Sequence, residues 1–289
     1  MAIAWVFPGQ GSQSSGMGLD LREVGSPKFT EAESILGWSV WQMCQADPAT
    51  LAQTQYTQPC LYTISAILTD MLHVQDQQPD LVAGHSLGEY SALYAVGVLS
   101  FADGLRLVKE RSLLMAQSTG GKMTALIGFD RQKLHDLVAE QSEVVIANDN
   151  SPEQVVISGS AIAVDHVVQN LGAKRAVPLP VSGAFHSPMM AEAQAKLAEV
   201  ISTTQFHDPQ VPVLLNSDPS TPLTTAQAIK DRMLTQITAP VRWREIGLYL
   251  QNAGFEEVWE VGPGKVLTGL LKRTAPNLKL RNVDCLANC

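Results

Sequence analysis

The segment GHSLGEY at residues 84–90 sets a serine between two glycines, Gly84-x-Ser86-x-Gly88, directly after the apolar run DLVA and just before SALYAVGV. A strand that turns sharply into a helix is the setting in which a serine hydroxyl is lifted into solvent as a nucleophile. Small residues two before and two after it let the backbone turn that tightly. The new helix aims amide hydrogens and its positive dipole end at any developing oxyanion, with the Leu87 N–H first among them. The plain alternative is a serine in a tight turn. The strand-to-helix context favours a nucleophile, and with it acyl transfer or hydrolysis.

Such a serine needs a base, and six histidines are available. His73, His135 and His166 fall within helical patterns and read as surface side chains. His207 lies in the polar connection QFHDPQ, and His85 adjoins Ser86, where consecutive side chains diverge. That leaves His186 in VSGAFHSPMM. Ser187-Pro188 behind it makes an N-cap and a first helical residue, and Met190, Ala193, Leu197 and Ile201 carry the helix on. A histidine before a helix N-terminus feels a positive dipole that keeps its imidazole neutral. An acid or a backbone carbonyl could orient the ring, and the residues leave that choice open.

A third chemical residue stands where apolar ones are expected. Ser100 to Asp103 reads as a capping box for a helix to about Gln117, on which Gly104, Leu107, Arg111 and Leu114 share a face. A buried guanidinium must be paired, either to an acid of the protein or to a ligand carboxylate gripped by two bonds. Taken by itself the seam favours the internal pair. The loop PGQGSQ at 8–13 is neither GxxxxGK[ST] nor GxGxxG, so nucleotide binding is weakly supported. It could instead lend a backbone amide, that of Gln10, to an oxyanion hole. GPG at 262–264 reads as close packing between a strand and a helix.

The elements that must hold these residues alternate between strand and helix. Ile3 to Phe7 and Leu81 to Ala83 are bounded apolar runs of the kind that suits buried parallel strands, as are Val211 to Leu215 and Glu256 to Val261. Helical spacing appears at Leu61–Met71, Thr225–Ile237, Arg242–Asn252 and Lys265–Arg273. The middle differs: Met123–Phe129, Gln132–Gln141, Val144–Ala147, Gln154–Ser158, a helix from Ser160 to Gly172 and Ala176–Pro180 follow the order β-α-β-β-α-β of a ferredoxin-like unit. The expected fold class is α/β, a parallel-sheet domain formed by 1–120 and 186–289, with a small α+β subdomain inserted at 121–185.

Composition sets the outer bounds. The 289 residues are 45% hydrophobic and 17% charged, enough to bury a sizeable core, and Lys and Arg number 20 against 28 Asp and Glu. A net charge of −8 argues against nucleic-acid binding. Cys44, Cys60, Cys285 and Cys289 offer neither a disulfide framework nor zinc spacing. No basic n-region precedes AIAWVFPGQ, and Pro48 to Thr69 is too broken by glutamines and Pro59 to span a membrane. A soluble cytoplasmic protein is expected.

Six segments in order resemble the malonyl-CoA:acyl-carrier-protein transacylase family: FPGQGSQ, TQPCL at 57–61, GHSLGEYSAL, VKERSLLM at 108–115, GAFHSPMM at 183–190 and EVGPGKVLTGLLKR at 260–273. That family has an α/β-hydrolase-like domain with a ferredoxin-like insert. The resemblance implies Ser86 as nucleophile and His186 as base, with Arg111 pairing the free carboxylate of malonate rather than an acid of the protein. It implies Gln10 and Leu87 as oxyanion-hole donors and the backbone carbonyl of Gln236 as the group that orients the histidine. Gln58 and Phe185 resemble pocket residues. Malonyl-CoA would be substrate and acyl carrier protein a transient partner, with no metal or other cofactor, no nucleic acid and no membrane, the chain acting as a monomer in fatty-acid synthesis. Lys174, Arg175, Lys265, Lys272 and Arg273 are candidate docking charges. A discrete polyketide malonyltransferase, an acyl-carrier-protein hydrolase and a non-catalytic malonyl-CoA-binding protein are the rival readings.

Overall fold

The structure, a computed structural model, describes residues 2–289. The chain opens with β1 (Ile3–Phe7), α1 (Ser26–Leu36), α2 (Val40–Met43), α3 (Pro48–Leu51), α4 (Thr54–Val74), β2 (Leu81–Gly84), α5 (Gly88–Ala95) and α6 (Phe101–Gln117). It continues through β3 (Gly121–Ile127), α7 (Arg131–Ala139), β4 (Val144–Ser151), β5 (Gln154–Ser160), α8 (Ala161–Leu171) and β6 (Arg175–Pro178). The last part holds α9 (Ala191–Thr203), β7 (Val213–Leu214), α10 (Ala226–Met233), α11 (Trp243–Asn252), β8 (Glu257–Val261), α12 (Val266–Thr274) and β9 (Lys279–Val283).

Five strands form a parallel sheet in the order β7-β2-β1-β8-β9. β1 is central, and Ala4, Trp5, Val6 and Phe7 are all fully buried, because a parallel sheet covered by helices on both faces has no wet side. Alternation along each strand divides the core. Trp5, Phe7, Val82, Trp259 and Val261 face the side packed by α4, α5 and α6, whereas Ala4, Val6, Leu81, Ala83 and Val258 face α11 and α12. Trp5 stacks on Trp259 at 6.1 Å on one side and on His73 at 5.4 Å on the other. His73, expected at the surface, is therefore half-buried, and burial lowers its pKa. Edge strand β9 was not legible as a strand: KLRNV alternates weakly and only Val283 is buried.

The second sheet is antiparallel in the order β4-β5-β3-β6, with α7 and α8 packed on its outer face around Leu126, Leu134, Val155, Ile157, Val164 and Leu171. Strand order and connections are those of a ferredoxin-like unit, so the chain combines the two parts expected of its fold class. Its inner face, through Met123, Ala125, Ala147 and Val156, joins the main core. β4 is also tied by backbone to the connection before α11, since Asp149 N–H donates to Val241 O and Val241 N–H to Ala147 O. β4 runs on to Ser151, through the segment expected to be a turn, because its register shifts between Ile146 and Asn148 and again between Asp149 and Ser151. Such bulges re-aim side chains.

The helix expected from Thr225 to Ile237 stops at Met233. The chain then runs in turns to Pro240, and the carbonyls of Ile237 and Ala239, outside helical bonding, both turn to His186.

Candidate active site

Ser86 sits at the junction of β2 and α5 with φ 53, left-handed for a residue with a side chain. The glycines beside it are required by contact. A Cβ on Gly84 would lie 1.9 Å from the Gly88 carbonyl carbon, and one on Gly88 would lie 2.0 Å from Phe7 O. Both backbone groups of Ser86 are gripped from distant segments: its N–H donates to Asn216 Oδ1 at 2.7 Å, and its carbonyl accepts from Gln236 Nε2 at 2.7 Å. The FPGQGSQ loop lies against the same turn, since a Cβ on Gly9 would meet His85 O at 2.4 Å. Among the described residues, neither the Gln10 nor the Leu87 backbone N–H has a protein acceptor, and both residues line the cavity in front of Ser86. Both amides are thus left for an acceptor from outside the chain at the place where the sequence expects oxyanion donors.

His186 Nε2 lies 2.7 Å from Ser86 Oγ. Its Nδ1 is 2.9 Å from Ala239 O, and a carbonyl can only accept, so Nδ1 carries the proton and Nε2 faces the serine as an acceptor. The hydrogen bond to Nδ1 comes from Ala239 O, where the sequence expects the Gln236 carbonyl. The chain leaves α10 before Gln236 and turns again before Pro240, which brings the Ala239 and Gln236 carbonyls toward the ring. Burial, then the nearby Arg111 charge, push the His186 pKa down to about 3.

Arg111 is 1% exposed, and among the described residues no carboxylate lies within ion-pairing distance of it. The internal salt bridge favoured by the helix pattern alone is absent. Neutral acceptors surround the guanidinium instead: Gln236 Oε1 at 3.1 Å from Nε, Gln58 Oε1 at 2.7 Å from Nη1 and Ser86 Oγ at 2.9 Å from Nη2. It also lies 5.6 Å from the Tyr90 ring centroid. A permanent charge so deeply buried without a counter-charge is costly. The cavity wall in which it sits is where a carboxylate from outside would offset it.

That cavity is lined by Gln58 and Phe185, with Met115 and Met123 as its apolar surface. The inserted unit supplies Asn148, whose Oδ1 is buried without a partner among the described residues. His85 also lines it and is held by Asn150 Oδ1 at 2.9 Å from Nε2. It does not reach the serine, as the divergence of neighbouring side chains requires.

Sequence reasoning missed four polar residues. Asn148 and Asn150 lie in NDNSPE, whose composition predicts a turn. Glu89 and Asn216 hold the elbow from behind: Glu89 Oε1 accepts from Asn216 N at 2.6 Å, and Asn216 Nδ2 donates to Gly84 O at 2.5 Å. The available signal for Glu89 was a carboxylate in a helix turn whose neighbours are apolar.

Comparison with known proteins gives one answer. Residues 4–284 match the acyl transferase domain family. A malonyl CoA-acyl carrier protein transacylase of Synechocystis sp. PCC 6803 is 55% identical over 99% of this chain and 98% of its own length. The crystal structure of the Synechocystis malonyl-CoA:ACP transacylase superposes with TM-score 0.98 at 54% identity, covering 100% of this chain and 99% of that one. A malonyl-transacylase solved in complex with its type II PKS acyl-carrier protein matches with TM-score 0.93 at 40% identity, over 100% of this chain and 97% of that one. By sequence over nearly its whole length and by fold, the chain belongs to the malonyl-CoA:acyl-carrier-protein transacylases of the acyl transferase domain family.

Proposed function

We propose that this chain moves a malonyl group from malonyl-CoA to the phosphopantetheine thiol of an acyl carrier protein through a malonyl ester on Ser86. One observation carries the reading furthest: a buried guanidinium without a protein carboxylate, 2.9 Å from the nucleophilic oxygen.

In the first half-reaction Ser86 Oγ attacks the thioester carbonyl and its proton passes to His186 Nε2. The Gln10 and Leu87 amides hold the tetrahedral oxyanion, and Ala239 O steadies the imidazolium through Nδ1–H. Collapse expels coenzyme A, which takes the proton from His186. In the second half the carrier thiol gives its proton to His186 and attacks the ester. The serine leaves with that proton. Arg111 grips the distal carboxylate, and an acetyl group would leave the guanidinium unpaired. A bound carboxylate also offsets the charge that holds the His186 pKa down, so a diacid makes its own base stronger. Gln58 and Gln236 position Arg111 by their side chains, and Phe185 closes the pocket. The scheme balances on the two thioesters and calls for no cofactor.

In this reading residues 1–120 and 186–289 carry the chemistry and 121–185 roof the pocket. The chain works as a monomer in the cytoplasm, where it supplies extender units to fatty-acid synthesis. Lys174, Arg175, Lys265, Lys272 and Arg273 are all exposed, and some of them meet the acidic carrier. No helix among the described residues is long and apolar enough to cross a membrane. The test is incubation with malonyl-CoA with and without carrier protein. Malonyl-carrier should accumulate, with little free malonate. Release of malonate at equal rates in both tubes would mark a hydrolase.

A further inference from the structure

Glu89, in the first turn of α5 and three residues beyond the nucleophile, is 1% exposed and takes no part in the steps above. Both its oxygens are used: Oε1 accepts from Asn216 N at 2.6 Å and Oε2 from Gln236 Nε2 at 2.7 Å. A carboxylate has no proton to donate, so each neighbour must present an N–H. For Asn216 this is its backbone, which leaves its side chain free to hold Ser86 N and Gly84 O. For Gln236 it settles which way the amide faces. With Nε2 turned to Glu89 and to Ser86 O, Oε1 must face Arg111 Nε.

We propose that Glu89 is a positioning residue that fixes the polarity of the Gln236 amide and, through it, holds the Arg111 guanidinium ready for the substrate's carboxylate. The inference rests on the malonyl-transfer reading above. Placed one amide away rather than against the guanidinium, Glu89 orients Arg111 without pairing it directly. Glu89→Gln has nearly the same shape and can keep its oxygen on Asn216 N, which preserves the grip on Ser86 N. Its new amide nitrogen, however, meets the Gln236 NH2, two donors with no acceptor between them. Unturned, Gln236 keeps Ser86 O but loses its acceptor at position 89; turned, its NH2 faces Arg111 Nε and its oxygen faces Ser86 O. In either arrangement a buried N–H goes without an acceptor beside the carboxylate-binding group.

The experiment measures Ser86 acylation by malonyl-CoA and by p-nitrophenyl acetate, an ester with no second carboxylate, for wild type, E89Q and E89D, each checked by thermal melting. E89Q should lose at least about tenfold more on malonyl-CoA than on the acetate ester, and E89D, which keeps the charge, should lose less of that ratio. Equal losses on both esters, or E89D no better than E89Q, would overturn the proposal by making Glu89 merely structural. Wild type supplies a second measurement that no folding defect can obscure. Burial raises the Glu89 pKa to about 7, opposed by Asn216, Gln236 and the Arg111 charge from α6, with Tyr90 on α5 the other titratable neighbour. The malonyl-to-acetate ratio should therefore fall as pH drops from about 8 to about 6, and a flat ratio contradicts the proposal. If malonyl-CoA fails to acylate wild type while the acetate ester succeeds, the malonyl-transfer reading itself is wrong. Normal malonylation with an unmoved ratio removes only the role given to Glu89.

Discussion

Ser86 and His186 are 100 positions apart in sequence and 2.7 Å apart at Oγ and Nε2, and both hold left-handed backbone, with φ 53 and 58. Asp76 is the one other non-glycine residue with positive φ among those described. Such a conformation costs roughly 1 kcal/mol or more and persists only where neighbours impose it. Here they do: Asn216 and Gln236 grip the Ser86 backbone, and Ile237 O accepts the His186 N–H. Backbone strain falls on the two residues whose side chains have to meet.

Ser86→Ala should leave the fold intact and depress malonyl transfer by on the order of a thousandfold or more, since the nucleophile has no substitute nearby. Intact-protein mass spectrometry after malonyl-CoA exposure checks it. A persisting adduct would move the nucleophile elsewhere.

Arg111→Ala should cost malonyl transfer about a hundredfold and acetyl transfer much less, because only the diacid loses a charge-assisted partner. Arg111→Lys should restore little, since one ammonium cannot reach Gln236, Gln58 and the carboxylate together. Paired rates with malonyl-CoA and acetyl-CoA decide the matter, and parallel losses would return Arg111 to a structural role.

His186 gives a pH prediction with a definite sign. Its folded pKa lies near 3 against an ordinary 6.5, so below pH 6.5 the unfolded chain takes a proton that the folded one refuses. That contribution weakens stability as pH falls from 6.5 toward 3. It amounts to about 2 kcal/mol by about pH 5. Urea titrations of wild type and His186→Gln should show wild type losing ground across that range, and a constant difference would mean the imidazole titrates normally. For the same reason, acylation of Ser86 by p-nitrophenyl acetate should show no inflection near pH 6.5.

Asn216→Ala removes the acceptor of Ser86 N–H and the donor to Gly84 O behind the turn. The expected loss is about 2 kcal/mol of stability, together with slower acylation as the elbow relaxes. Thermal melting and the acetate ester rate test both halves. Unchanged acylation in a destabilised variant would show that the elbow holds its shape without Asn216.

Much of the chemistry was legible from local pattern. Ser86 announced itself because strand, glycines and helix are contiguous, and His186 because Ser187 and Pro188 mark a helix start directly behind it. Arg111 was visible as a charge on an apolar face, but a helix pattern cannot say whether the partner is internal. Only the resemblance reversed that preference; among the described residues no carboxylate pairs with Arg111. Two of the misses share one cause. Ala239 O reaches His186 because the chain turns before Pro240, and Asn148 faces the pocket because β4 is bulged. Both depend on backbone direction after an irregularity, which residue periodicity does not encode. Glu89 and Asn216 meet across 127 positions, a separation over which sequence spacing carries no signal.

The most direct measurement is a chase. The enzyme is loaded with isotopically labelled malonyl-CoA, freed of excess donor, digested to locate the label, and in parallel mixed with holo acyl carrier protein. The label should sit on the peptide bearing Ser86 and pass to the carrier thiol faster than it appears as free malonate. Label on any other residue, or malonate released at the same rate whether or not carrier is added, would contradict the account.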